Sequence, residues 1–180
     1  WHLRLHKCND SHFSQHKFTG SQLVSTNPSR ANGTQCKFGE LSLRQATLTH
    51  LNASQSRFNS SDLTGSDCRH SAFSQVNFAD AVLLGCDFSH CHLQRALLPR
   101  VRAEQALFNH SDLSGAACAY AQFDGIQFSH TQFSQTKFHR ASCAESTLTS
   151  RHGILERADA LFYADAWCQP RLALREHHVK

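Results

Sequence analysis

Five histidines recur along the chain at a fixed interval of twenty residues: His50, His70, His90, His110 and His130. Imidazole changes its charge near neutral pH and binds metal ions readily, so such a series could hold a metal or an anion, or could sense pH. Each of these roles needs the rings to lie close together in space. The chemistry therefore depends on whether the fold brings residues twenty apart into contact.

A period of five residues indicates the kind of fold that would do so. Every fifth position from Phe38 to Leu148 is apolar, and the same phase extends back to Leu3, interrupted only at Pro28 and Gly33. An α-helix would repeat its apolar residues every three or four positions and a strand every two, so neither explains the pattern. A coil that turns a corner every five residues does, because one bulky side chain per side then points inward.

The position two residues before each bulky one is nearly always small. From Ala46 to Ser146 it holds Ser, Ala, Cys, Thr or Val, with Leu51 and Ile126 as the exceptions. A small residue beside a large one is what close packing of a narrow core requires. Cysteines fall in these two inward phases, so we expect buried thiols rather than disulfides or metal ligands. They are Cys8, Cys68, Cys118 and Cys143 in the bulky phase and Cys36, Cys86 and Cys91 in the small phase, with only Cys168 outside the pattern.

Individual units resemble those of the pentapeptide-repeat family, whose unit reads A(D/N)LXX. The likeness is clearest at residues 61–65, 76–80 and 111–115, and it covers roughly residues 3–148. The resemblance implies an all-β solenoid, a right-handed quadrilateral β-helix with four units in each coil. The five histidines would then lie above one another on one corner, about 4.8 Å apart.

The pattern divides the chain into two parts. We predict a pentapeptide-repeat β-helix over residues 1–150, with a loop excursion near 24–37, where Asn-Pro and Asn-Gly signal turns. Beyond Gly153 the apolar residues from Ile154 to Ala166 follow a helical spacing. Residues 151–180 are therefore predicted to form a short C-terminal capping α-helix and a basic tail. The alternative for this end is a homodimer contact, because the pentapeptide-repeat proteins that protect topoisomerases dimerise through their C-terminal ends.

The formal net charge of +4 is unevenly distributed. Residues 1–60 hold seven basic and two acidic residues, residues 61–130 hold four and seven, and residues 131–180 hold seven and five. A twenty-residue coil would stack Lys17, Lys37 and Arg57 in one column, and Arg4 and Arg44 add to the basic N-terminal part. This surface is either simply solvated or a docking site for an acidic partner or a nucleic-acid backbone.

No motif predicts catalysis or a cofactor. The sequence has no Gly-rich phosphate loop, no GxSxG, no HExxH and no paired zinc-ligand spacing, and a filled coil offers no interior pocket. We therefore predict a protein that is not an enzyme, without catalytic residues, cofactor or dedicated metal site. The histidine series is interpreted first as a stacked polar ladder. A metal or anion site and a pH sensor remain as alternatives, since protonating five adjacent rings would be self-repulsive and would loosen the rod in acid.

The sequence also bears on location. It has no run of 18 apolar residues and no signal-peptide h-region at its start, so membrane insertion is not expected. Predicted burial of the cysteines fits a reducing cytosol, and we expect a cytoplasmic location, with secretion as part of a bacterial effector left open. The absence of Met suggests a fragment of a longer protein.

Three functions remain open. The first is a non-catalytic scaffold for protein–protein interaction, as a module of a larger bacterial effector or secretion-associated protein, a setting that the resemblance implies. The second is a DNA mimic that protects a type II topoisomerase, as quinolone-resistance pentapeptide proteins do, although a net positive chain lacks the acidic surface this requires. The third is nucleic-acid binding through the basic N-terminal end, which lacks aromatic residues interleaved with the charge. We prefer the first, with a protein as the expected partner.

Overall fold

The computed structural model describes residues 12, 14–15, 17–18 and 27–149. Throughout these residues the chain winds into a four-sided coil. Residues twenty apart lie side by side in parallel, from His12 opposite Asn32 to Gln122 opposite Ser142. Four five-residue units therefore complete one coil, which confirms the winding predicted from the sequence.

Each side of the coil is three residues long: its middle residue bonds to the coil before it, and its two flanking residues bond to the coil after it. The N–H of Asp62 donates to the Leu41 carbonyl at 2.9 Å and its carbonyl accepts from Leu43 N at 2.7 Å, both in the preceding coil. In the following coil, Val82 N donates to the Ser61 carbonyl at 2.9 Å and the Val82 carbonyl accepts from Leu63 N at 2.8 Å. At two places in the described residues the pairing extends over all three residues and forms strands, β1 (Gln127–Ser129) and β2 (Thr147–Thr149), which pair in parallel with Phe128 opposite Leu148. The ladder of hydrogen bonds thus runs along the axis of the rod.

A tight turn closes each corner. At one corner the Leu43 carbonyl accepts a hydrogen bond from Ala46 N at 3.1 Å, and Gln45 between them has a φ of 54°. A positive φ at the third residue is the signature of a type II turn. Residues with a Cβ seldom adopt this conformation, so the hydrogen bonds between coils must hold them there. The same turn position holds Gly65, Gly85, Gly115, Gly125 and all five histidines of the series.

The bulky phase forms the core, as predicted. Phe78 is fully buried, and its ring centroid lies 5.2 Å from that of Phe58, 5.5 Å from Phe73 and 5.8 Å from Phe88. Residues of the small phase are buried beside these rings. Most of the polar ones bond to the backbone; Ser71 Oγ, for example, donates to the Leu48 carbonyl at 2.6 Å. Side chains therefore fill the interior.

Cysteines of both inward phases behave as small apolar residues. Cys68, Cys86, Cys91 and Cys118 are buried and free. Burial raises the pKa of the Cys68 and Cys118 thiols well above the usual range, that of Cys86 to about 11 and that of Cys91 to about 12. A thiolate would lose its hydration in this core, so these thiols stay protonated and unreactive. Cys8 and Cys168 lie outside the described residues.

The loop excursion expected near residues 24–37 is wrong for residues 27–37, which continue the coil. Asn32 pairs in parallel with Asn52. The carbonyl of Pro28 accepts a hydrogen bond from Ala31 N at 3.1 Å, so the turn closes normally although proline occupies the inward position. Residues 24–26 lie outside the described residues.

The contacts of Asn32 and Gly33 explain why the Asn-Gly pair, a turn signal in the sequence, does not open a loop here. The Asn32 side chain reaches over the next corner, where its Oδ1 accepts from Thr34 N at 3.2 Å, so the asparagine shapes an ordinary corner. The space left by Gly33 is taken up by Phe38, whose Cζ would lie 3.3 Å from a Cβ placed on Gly33. Loss of one inward side chain is therefore compensated by the next one, and the coil does not open.

The capping helix predicted within residues 151–180, and any homodimer contact through it, lie outside the described residues and stay predictions. The same holds for the boundary between the two parts of the chain. Among the residues that the structure describes, no helix has the length and apolar character needed to cross a membrane.

Replacing Phe78 with Ala should destabilise the coil strongly, because the side chain is buried among three other rings. Removing a buried Phe side chain costs about 3–5 kcal/mol. Tyr120→Ala is the matched control, since Tyr120 is 49% exposed and should contribute much less. Unfolding in urea followed by circular dichroism measures both variants. Equal losses of stability in the two would contradict a core built on the five-residue phase.

Candidate interaction surface

The histidine series forms one stacked column on one corner, as its spacing predicts. Ring centroids of neighbouring histidines lie 5.1, 4.8, 4.8 and 4.9 Å apart, and the planes of each pair are within 22° of parallel. All five residues are exposed. The column consists, in order along the rod, of His50, His70, His90, His110 and His130.

Charged groups surround this column on the neighbouring positions. Arg69, which directly precedes His70, donates from its guanidinium to Asp67 Oδ2 at 2.6 Å and lies 3.9 Å from Asp87 Oδ2. Arg30 occupies the same corner one coil before the column, and Asp112 lies on the following side. Within the described residues, no group of three or more His, Cys, Asp or Glu side chains is arranged to hold a metal ion. The arrangement therefore offers an exposed ladder rather than a clustered set of ligands.

The three predicted basic residues of the N-terminal part lie in one column. Lys17 pairs in parallel with Lys37, and Lys37 with Arg57, and all three side chains are exposed. Arg44 lies on a different corner, where its guanidinium donates to Asp62 Oδ2 at 2.8 Å. Arg4 lies outside the described residues. The structure thus brings three of the five predicted residues together and places Arg44 elsewhere.

Beyond Arg57 the same side of the coil carries Asn77, then the apolar Leu97 and Ala117, and then the basic Lys137. We call this side, with the two corners that flank it, the basic face. Leu97 on this side is 45% exposed, and Tyr120 on one flanking corner is 49% exposed. Sequence reasoning missed both residues, although counting in steps of twenty from Lys17 leads to Leu97. Outward residues of this side are, in order, Lys17, Lys37, Arg57, Asn77, Leu97, Ala117 and Lys137.

Basic and acidic residues are distributed unevenly around the coil as well as along the chain. Among the described residues, the basic face carries seven basic residues against two acidic ones, and the rest of the surface carries four against seven. Both acidic residues of the basic face, Glu40 and Asp80, lie on one flanking corner, and Asp80 is neutralised by Arg100 at 2.6 Å. The basic residues of the face are Lys17, Lys37, Arg57, Arg95, Arg100, Lys137 and Arg140.

Carboxylates outside the basic face form hydrogen bonds and ion pairs with other residues of the coil. Asp112 Oδ1 accepts from Ser114 N at 2.8 Å, and its Oδ2 accepts from Gln94 Nε2 at 2.8 Å. The hydrogen bond from Arg69 holds the pKa of Asp67 below its ordinary value. These carboxylates shape corners and pair with nearby arginines, so the described surface does not present a continuous acidic stripe of the kind a DNA mimic needs.

The pH-sensor interpretation of the column stays a prediction, and replacing His70 and His90 together with Asn tests it. Asn tolerates the positive φ of the turn, so the double variant should keep the coil. If the column senses pH, thermal unfolding of the two proteins at several pH values should show different pH dependences of stability. The same pH dependence in both proteins would rule out pH sensing by the column.

Removing the Arg69 side chain should raise the pKa of Asp67 towards its ordinary value of 3.8, because the guanidinium hydrogen bond that lowers it is lost. A carboxyl whose folded pKa is depressed stabilises the fold above its unfolded pKa, and that stability is lost as the pH falls through the folded value. The contribution to stability is small, because solvent screens such an exposed pair. Carbon-detected NMR titration of Arg69→Ala tests this, with Asp80, paired to Arg100, as the internal control. An unchanged Asp67 titration would contradict the pairing.

One protein family matches part of the described coil. Residues 42–80 and 86–117 match the family model for pentapeptide repeats, in 8 copies. No curated protein matches the chain in sequence. Among solved structures, the chain is similar to HetL, a pentapeptide repeat protein involved in heterocyst differentiation regulation from the cyanobacterium Nostoc sp. strain PCC 7120, at 16% identity and a TM-score of 0.49, over 78% of this chain and 84% of HetL.

Two further structures are similar at the same level. QnrB1, a plasmid-mediated fluoroquinolone resistance protein, has 18% identity and a TM-score of 0.46 over 84% of this chain and 91% of its own. Rfr23 from the cyanobacterium Cyanothece 51142 has 12% identity and a TM-score of 0.40 over 76% and 84%. At such identities the activities of those proteins are not carried over. The family model thus covers about two fifths of the chain, and the four-sided coil of the described residues is the winding that the resemblance to pentapeptide-repeat proteins implies.

Proposed function

We propose that this chain is a rigid, non-catalytic scaffold that binds a protein partner through its outer surface. The observation that carries the proposal is the basic face, where exposed Leu97 and Tyr120 interrupt a row of unopposed positive charge. Interfaces in proteins are built around such apolar and aromatic anchors with a polar rim. The remainder of the surface has no comparable pair of exposed large apolar residues within the described part of the chain.

The filled interior supports the same proposal. Inward positions hold packed side chains, and the backbone groups of successive coils bond to one another, as between Asp62 and Leu41. A ligand can therefore reach only the outer sides and corners of the rod. A stiff rod with sorted columns suits the role of a module in a larger bacterial effector or secretion-associated protein, the setting that we favour, with any chemistry in another part of that protein.

Two finer assignments accompany the proposal. Unreactive buried thiols fit a cytoplasmic location, in which a reducing environment keeps them protonated. A homodimer formed through the C-terminal end is the second assignment, alongside binding of a different protein. Protection of a type II topoisomerase by DNA mimicry is not favoured, because the described carboxylates are paired or held in corners.

Site-specific photo-crosslinking tests the proposal. A photoreactive residue at position 97 on the basic face should capture a discrete protein in cells of the source organism, and the purified partner should bind the scaffold directly. The matched control carries the photoreactive residue at position 107, another outward position held by leucine, on the opposite side of the coil. Crosslinking from positions on all four sides extends the test.

Three outcomes would overturn a protein scaffold. One is capture of nucleic acid in place of protein. Another is that gyrase continues to supercoil DNA in the presence of a quinolone when this chain is added. That result would establish the DNA-mimic function. The third is the absence of a protein adduct from every side of the coil.

A further inference from the structure

The basic face has an apolar centre with a basic residue at equal distance on either side. Leu97 lies two coils beyond Arg57 and two coils before Lys137 in the same column. At about 4.8 Å per coil, each charge is about 10 Å from Leu97 and the two are about 19 Å apart. A complementary ligand would therefore carry negative charge at both ends and an apolar group in the middle.

Neighbouring residues enlarge the apolar centre and hold it in place. Ala117 pairs with Leu97 in the next coil, and Pro99 and Ala119 lie on the flanking corner beside Tyr120. The Arg140 guanidinium carbon lies 5.9 Å from the centroid of the Tyr120 ring, which orients the ring. An anchoring residue of a partner would therefore meet a preformed surface and would lose little entropy in ordering it.

The corner beside this centre is fixed by an ion pair. Arg100 donates through Nε to Asp80 Oδ1 at 2.6 Å and through a second nitrogen to Asp80 Oδ2 at 2.8 Å. This bidentate pair removes the negative charge of Asp80 from the face. The remaining lysines and arginines of the column meet no carboxylate on their own side of the coil in the described residues.

We propose that the basic face docks an acidic polypeptide segment that has an apolar residue between two clusters of Asp or Glu. The apolar residue packs on Leu97 and Tyr120, and the two clusters lie over Arg57 with Lys37 at one end and over Lys137 at the other. This inference rests on the proposed scaffold function and names the chemistry of its partner. An extended segment bridges the two ends with about six residues, since a strand advances about 3.3 Å per residue.

Charge spacing favours a polypeptide over nucleic acid as the occupant. A nucleic-acid strand carries a phosphate at every nucleotide, so it would place charge over Leu97 along the whole gap between Arg57 and Lys137. Burying an unpaired phosphate against an apolar patch is unfavourable. An acidic segment with an apolar centre avoids this cost, because its sequence can omit charge where the face has none.

Fluorescence anisotropy with labelled synthetic peptides tests the proposal on the full chain. The probe has Glu clusters flanking a central Phe-Leu pair, spaced as above. One comparison peptide has Ser-Ser in the centre, and another has Lys clusters. We expect the probe to bind at least tenfold more tightly than the Ser-Ser peptide, the Lys peptide not to bind, and added salt to weaken binding.

Substitutions in the basic face should separate the contribution of the apolar centre of the probe from that of its Glu clusters. Leu97→Ser should remove the preference for Phe-Leu over Ser-Ser, and Arg57→Glu should weaken both peptides at least tenfold. Leu107→Ser and Arg102→Glu make the same changes at outward positions on other sides and should leave binding unchanged. Circular dichroism of each variant confirms that it folds.

Several results would overturn the docking proposal. Equal binding of the probe and the Ser-Ser peptide would show that Leu97 and Tyr120 do not anchor an apolar residue. Equal effects of the substitutions at Arg57 and Arg102 would show that the peptide does not bind at the basic face. Salt-dependent binding of random DNA that Arg57→Glu abolishes and Leu97→Ser leaves intact would identify nucleic acid as the occupant. Dimerisation abolished by Leu97→Ser, without peptide binding, would identify a second copy. A partner crosslinked only from another side would leave the scaffold function standing and refute this site, whereas no partner from any side would refute both.

Discussion

Hydrogen bonds between successive coils are the constraint on which the rest of this structure depends. Each side is only three residues long, and its middle residue, such as Asp62, bonds to the coil before it, while the two flanking residues bond to the coil after it. The turns cannot relax independently, because most place a residue with a Cβ at positive φ. Packing of one bulky inward residue per side stabilises the same arrangement from within. Backbone pairing and core filling therefore specify the same winding.

A fixed winding converts spacing in the sequence into position on the surface. Residues twenty apart become neighbours, so each outward column has its own chemistry. One corner carries stacked imidazoles, and another carries glutamines, of which Gln35 donates to Gln55 at 2.9 Å. The side of the basic face that runs from Lys17 to Lys137 is a further column of this kind, and it includes Leu97. Function in such a rod depends on columns rather than on a pocket.

The five-residue phase was sufficient to predict the core, the stacking of His70 on His90 and the column of Lys17, Lys37 and Arg57. All three depend only on counting, because the coil never changes length in the described residues. The loop near residues 24–37 could not be judged in this way. Its outcome depended on how far the Phe38 ring reaches into the space beside Gly33, which is a matter of side-chain geometry.

The five-residue pattern also could not predict which surface groups form ion pairs or how exposed each one is. Asp67 and Asp87 are neighbours, as counting predicts, but the position of Arg69 between them is visible only in the structure. Arg44 was grouped with the basic N-terminal part by sequence position, although the turn places it on another corner beside Asp62. Leu97 was overlooked because its exposure depends on the small residues around it, among them Ala117.

Spin labels placed at positions 37 and 137 measure the winding on which the whole account depends. The two positions share one column and are five coils apart. Pulsed electron paramagnetic resonance should therefore give a narrow distribution of label-to-label distances, centred at about 24 Å. A label pair at positions 37 and 127, on opposite sides of the rod, should give a distinct distance. A broad distribution for positions 37 and 137, or a centre beyond about 35 Å, would show that the coil does not close every twenty residues, and the columns would not exist.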